Sequence, residues 1–202
     1  MSRTASVTRV PMLSQEEARQ AAIAVGVPEV FASLNVFRVL LHQPGVAKQI
    51  ADLLSELLAG KALDPRQREL IIMRLGWSTH SVYEWTQHWR VARAMGMTEA
   101  DILGVRDWHN HGAYSSADRC VLAAVDDWVA HGAIQGETWS RCEAEFSDPA
   151  MRIELVAAIG TWCMISAVLR SLDVPLEDGV AAWPPDGCAP SALPDPAVAK
   201  KP

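Results

Sequence analysis

The chain has 202 residues, of which 50% are apolar and 21% charged, with a formal net charge of -6. That balance suits a soluble globular protein with ample chain for one core, and it argues against general binding to nucleic acid or an anionic membrane surface. The cysteines, Cys120, Cys142, Cys163 and Cys188, form neither a C-x-x-C nor a zinc-like spacing, so reduced thiols in a cytoplasmic protein are expected.

Residues 1–12 read as a flexible polar arm, without the apolar core of a secretory signal. Ser14-Gln15-Glu16-Glu17 has the form of a capping box and opens a helix to about Val25. Gly26-Val27-Pro28 breaks it, and a second helix is predicted from Pro28 to Leu41 with Val30, Leu34, Phe37 and Leu41 as its stripe. Pro44 suits the start of the next helix, periodic from Val46 to Leu58 and closed by Gly60. Asp64-Pro65 is a strong start signal, with Gln67 at the position of a reciprocal cap partner. That helix carries Glu69 and is expected to stop near Gly76; the next ends at Gly96, and Thr98 caps a short helix to about Val105.

Arg106 to Ser115 reads as a loop with Trp108, His109, His111 and Tyr114. A serine cap then opens a helix to about His131, with Val121, Leu122, Val125, Trp128 and Val129 facing inward, followed by a turn at Gly132–Gly136 and a helix at Glu137–Phe146. Asp148-Pro149 opens a long apolar helix from Ala150 to about Leu172. Its run from Ile153 to Leu169 contains Glu154, Gly160, Thr161 and Ser166 and falls short of the span of about 18 apolar residues that a membrane crossing needs, so burial in a core or subunit interface is expected. The helical domain thus covers residues 13–175, and residues 176–202 form a tail rich in Pro, Gly, Ala and Asp, expected to be extended or disordered. No convincing strand, phosphate loop or serine-nucleophile elbow is present.

Chemistry concentrates between Glu69 and Met95. Glu84 and His88 stand four apart on one helical face, which Val91 and Met95 continue, so the pair is expected to face protein. Burial raises a carboxyl pKa and lowers that of imidazole, while pairing pushes both the other way, holding two proton carriers near a useful range. Glu69, followed at helical spacing by Ile72 and Met73, joins them if the two helices pack as a hairpin. The same Glu–His spacing also serves as a plain helix-stabilising pair, contributing a few tenths of a kcal/mol.

The segments Arg68-Glu69-Leu70, Tyr83-Glu84-Trp85-Thr86-Gln87-His88 and Ala94-Met95-Gly96-Met97-Thr98-Glu99-Ala100-Asp101-Ile102 resemble the carboxymuconolactone decarboxylase and alkylhydroperoxidase D-like superfamily, from about Phe37 to about Asp127. The resemblance implies a single-domain all-α helical bundle that is oligomeric, a trimer or hexamer. It also implies a cofactor-free, metal-free active site built from these two helices, often against a neighbouring subunit. The cysteines of the peroxidase branch would fall at Ser81 and Glu84, which excludes thiol chemistry there. The decarboxylase branch carries a carboxylate four residues before its histidine, as Glu84 does. In that branch His88 would be the main proton donor or acceptor, Glu84 would orient it or share the proton, and Glu69 would complete a relay.

Further residues are weighed around this trio. Trp77, Trp85 and Trp89 suit either core packing or the wall of an apolar substrate pocket. Arg74 either grips a substrate carboxylate or forms an ordinary salt bridge. Tyr83 projects about 100° around the helix from Glu84 and could add a hydroxyl. His109-Asn110-His111 lacks a third ligand fixed by spacing; it reads as a surface loop, or as a pocket cover supplying His109 to substrate. The expected function is a lyase acting on a small unsaturated carboxylated or lactone-type substrate, which by resemblance implies aromatic catabolism. Isomerisation, hydration or lactone opening on the same site, a peroxide reductase using the remaining cysteines, and a non-enzymatic ligand-binding oligomer are the alternatives.

Overall fold

The computed structural model describes residues 8–60 and 62–191, and among these it is helical without strands. Ten α-helices follow in order: α1 (Gln15–Val25), α2 (Glu29–Ala32), α3 (Asn35–Leu40), α4 (Pro44–Ala59), α5 (Pro65–Ser78), α6 (Val82–Ala94), α7 (Glu99–Gly104), α8 (Ser116–His131), α9 (Gly136–Glu145) and α10 (Pro149–Ser171). Their starts are chemically marked. Ser14 and Glu17 close the capping box of α1, and Ser115 and Asp118 close another on α8. Asp64 and Asp148 accept from Arg66 N and Ala150 N, each with proline at the first helical position.

α5 is the axis of the fold. Its residues from Arg68 to Met73, with Leu75 and Gly76, are all buried, and it packs against α6, α8, α10 and the 3₁₀ turn Val105–Asp107. α10 buries Leu155, Ala158, Ile159, Trp162, Ile165 and Leu169 against α4, α5, α6 and α8. It is the one described helix long and apolar enough to cross a membrane, while its Ile153 and Met164 remain exposed.

The structure departs from the sequence-based expectation in several places. The helix predicted from Pro28 to Leu41 is two, broken at Ser33–Leu34: Ser33 Oγ bonds Val30 O and Leu34 turns extended, at φ −79° and ψ 138°. Val30 therefore points out, at 68% exposure, and Val129 on α8 is also exposed. Gln67 does not complete a cap; its Oε1 is buried without a partner.

Gly76 does not end its helix. α5 runs on to Ser78, and the chain reverses at Thr79–Ser81, where His80 takes a left-handed φ of 59°. Gly76 instead permits close approach: a Cβ there would lie 3.0 Å from Trp85 N and 3.5 Å from Glu84 Cβ.

The proline-rich segment is irregular, with turns, and is docked through Glu177, Trp183 and Asp186; residues 192–202 lie outside the described residues. Glu177 accepts hydrogen bonds from Asn35 N, the Tyr83 hydroxyl and the Gln87 amide. Trp183 packs against Trp77 and Trp85, and Asp186 forms a two-pronged ion pair with Arg106. Composition signals the lack of regular structure here, but not these three anchors.

Candidate active site

The α5–α6 hairpin sets Glu69 opposite His88. Nδ1 of His88 meets Oε2 of Glu69 at 2.8 Å, and Glu69 is fully buried. A carboxylate only accepts, so Nδ1 carries the hydrogen and Nε2 is left as the exchangeable nitrogen. Glu84 Oε2 lies 3.6 Å from Nε2, one helical turn back on α6. Trp162 of α10 donates its indole N–H to the same Nε2 at 3.3 Å, with the two rings edge to face. On the far side of Glu69, Arg68 Nε stands 3.9 Å from Oε1 while its Nη1 donates to Leu57 O.

These contacts set the proton affinities. Burial pushes the Glu84 carboxyl up to about 7; the imidazole opposes the rise and the nearby Glu69 charge adds to it. Burial works against a charged imidazole at His88, but the Glu69 carboxylate, by charge and by hydrogen bond, outweighs it and raises the pKa. Near neutral pH the two groups therefore share protons that move easily between them and a third party.

The cluster opens on a cavity of about 340 Å³. Phe31, Leu34, Val36 and Phe37 wall it on one side, Leu54 and Leu58 of α4 on another, and Trp162 and Ile165 on the α10 side. Glu84, Gln87, His88, Val91 and Tyr83 form the α6 side. The volume suits a small molecule, and the polar groups sit at one end of an apolar hollow. Val91 lines this hollow yet is 39% exposed, and Met95 is 42% exposed, so the α6 face is open to solvent at its C-terminal end rather than buried throughout.

Several residues singled out in the sequence lie elsewhere. Trp77 and Trp85 do not line the hollow: they form a cluster with Trp183, crossed by the Arg106 guanidinium at 4.7 and 4.8 Å from the two rings. Trp85 donates to Pro184 O. Trp85 is one residue from the cavity-facing Glu84, and a single residue turns the helix by about 100°. Arg74 is taken up by Asp126, with two hydrogen bonds at 2.7 and 3.0 Å, and by Val105 O. His109 stacks on Trp108 at 3.7 Å, outside the cavity lining. Tyr83 does line the cavity, but its hydroxyl donates to Glu177. Trp162 and Gln87 are site residues that the sequence reading passed over. A tryptophan in an otherwise apolar helix needs an acceptor for its N–H, and that need was the available signal. Among the described residues no group of three or more His, Cys, Asp or Glu side chains is placed to hold a metal ion.

Fold and cluster together define an all-helical protein of alkylhydroperoxidase D-like architecture. Residues 44–127 match the Carboxymuconolactone decarboxylase family (CMD). The structure resembles the alkylhydroperoxidase AhpD core of an uncharacterized peroxidase-related protein from Ralstonia eutropha, with a TM-score of 0.70 at 14% identity, covering 87% of this chain and 95% of that one. It resembles an uncharacterized peroxidase-related protein from Silicibacter, with a TM-score of 0.68 at 12% identity, covering 89% and 97%. A variant of the debrominase Bmp8 in complex with 2,3,4-tribromopyrrole gives a TM-score of 0.68 at 16% identity, covering 88% and 95%. No match was found among curated proteins. The family match spans the segment that carries Glu69, Glu84 and His88, and the solved structures share the fold.

Proposed function

We propose that the protein is a cofactor-independent decarboxylase-like lyase acting on a small unsaturated lactone or a related carboxylated substrate. The observation that carries this reading is the placing of Glu84 and His88 in the wall of an apolar cavity of about 340 Å³, with Glu69 buried behind and bonded to His88. In the reaction the bond from the ring to the carboxylate breaks and carbon dioxide leaves. The electron pair passes into the conjugated lactone as a dienolate. Nε2–H of an imidazolium then delivers a proton to carbon, while Glu69 holds the ring by Nδ1 and Glu84 resupplies Nε2. The apolar walls favour loss of the hydrated carboxylate charge.

Isomerisation, hydration or lactone opening would use the same proton carriers. Peroxide reduction at this site is disfavoured because Ser81 and Glu84 stand where the thiols would be needed. Self-association is part of the reading. Val30, Val91 and Met95 are exposed apolar side chains on α2 and α6, two of them in the cavity wall, and Ile153 and Met164 are exposed on α10.

The test is turnover of carboxymuconolactone, followed by carbon dioxide release, with light scattering on the same preparation for assembly. Release that is lost in His88→Ala supports the assignment. No release from a folded, assembled protein overturns decarboxylation of this substrate class.

A further inference from the structure

Outside this site, two cysteines lie against each other. Cys120, in the second turn of α8, and Cys142, in the last turn but one of α9, have their Sγ atoms 2.7 Å apart, against about 2.05 Å for a disulfide bond. α8 and α9 form a helical hairpin turned by Gly132–Gln135, and the two cysteines sit toward its open end. Cys120 also lines a surface pocket with Ser116, Arg119, Arg141 and Glu145. A small solute can therefore reach one member of the pair while the other lies behind it, fully buried. The cationic Arg141 beside the pair favours a thiolate, and so does a hydrogen bond from one sulfur to the other. The Cys142 thiol is lowered and the Cys120 thiol raised, as expected when Cys120 donates to Cys142.

We propose that Cys120 and Cys142 are a redox couple that closes a reversible disulfide across the α8–α9 hairpin, with a hydroperoxide as oxidant. Cys120, the sulfur that the pocket reaches, gives up its proton to the neighbouring Cys142 sulfur and attacks the peroxide; the O–O bond breaks, and a sulfenic acid forms on Cys120 as hydroxide leaves and is protonated to water. The second thiol displaces the hydroxyl group of the sulfenic acid as water, giving the S–S bond. In total two thiols lose two hydrogens, and hydrogen peroxide, gaining two electrons, becomes two waters. A dithiol reverses the bond by exchange. The chemistry is independent of the Glu69, Glu84 and His88 cluster, so it stands or falls apart from the proposed lyase activity.

The couple closes a loop whose ends lie 22 residues apart. Cross-linking a loop of that size raises the melting temperature of a chain this long by on the order of 5–10 °C. The experiment treats the whole protein with hydrogen peroxide, unfolds it, alkylates free thiols and maps the cysteine peptides by mass. The expected result is a linked Cys120–Cys142 peptide, with Cys163 and Cys188 alkylated, full reversal by dithiothreitol, and a higher melting temperature in the oxidised form. Cys142→Ala should abolish both the link and the shift. Should that variant fail to fold, the peptide map of the unaltered chain decides alone. Alkylation of both Cys120 and Cys142 after peroxide, their linkage to Cys163 or Cys188 instead, or oxidation of either to a sulfinic acid would overturn the proposal.

Discussion

Glu69 and His88, nineteen residues apart in the chain, meet at 2.8 Å across the α5–α6 hairpin. The contact fixes the imidazole by Nδ1 and aims Nε2 into the cavity. Replacing His88 by Ala removes the imidazole that stands beside Glu84 in the cavity wall. Turnover should fall by about 10²–10⁴-fold, the usual worth of a positioned proton carrier. Circular dichroism should show the helices intact, and undiminished turnover would remove His88 from the reaction.

Glu84 makes stability depend on pH. Its folded-state pKa of about 7 lies above the ordinary 4.5, so the folded protein binds more protons than the unfolded chain between those values. Unfolding free energy therefore falls as pH rises through that window, by on the order of 3 kcal/mol. His88, also raised, adds a stabilising share that is full below its unfolded pKa and is lost as pH rises through its higher folded value. The melting temperature should thus drop between about pH 5 and about pH 8, and Glu84→Gln should flatten the drop. Parallel curves for the two proteins would contradict the assigned pKa.

Trp162 donates to Nε2, a bond available only to the neutral imidazole. Trp162→Phe keeps most of the ring's packing and deletes the donor. Loss of a bond worth about 1 kcal/mol should move the His88 pKa up by somewhat under one unit. The pH–rate profile of the variant should show its histidine limb displaced to higher pH. An unmoved limb with reduced stability would mean that the indole only fills space.

The convergence of Glu69, Glu84 and His88 was legible in the sequence because two of them share one helical face and the third sits on the adjoining helix, inside a motif with fixed order. Trp162 was not. It arrives from 74 residues further along, and nothing in the periodicity of α10 says which neighbour its N–H will find. Trp77 and Trp85 were drawn into the pocket by proximity in sequence, whereas Trp183 and Arg106 claim them on another face. Gly76 was legible as special but not in what way: a glycine marks a turn or a close approach equally well, and only the packing of Trp85 decides between them.

That close approach is itself testable. Gly76→Ala puts a methyl group 3.0 Å from Trp85 N, backbone that cannot rotate away. The helices must part by a few tenths of an ångström, at a cost of about 1–3 kcal/mol. Turnover should fall beyond what the lost stability explains, because the same shift loosens the bond between Glu69 and His88. Normal turnover in a merely destabilised variant would show that the trio tolerates slack.

Trp162 lies on the final helix, and this gives the cluster an order of birth. A nascent chain exposes Glu69, Glu84 and His88 while α10 is still inside the ribosome, and there the Glu84 carboxyl titrates as it does in water. The docking of α10 adds Trp162 and Ile165 to the walls around the cluster and completes its burial. A chain that lacks α10 therefore lacks both the Trp162 donor to His88 and one wall of the cavity.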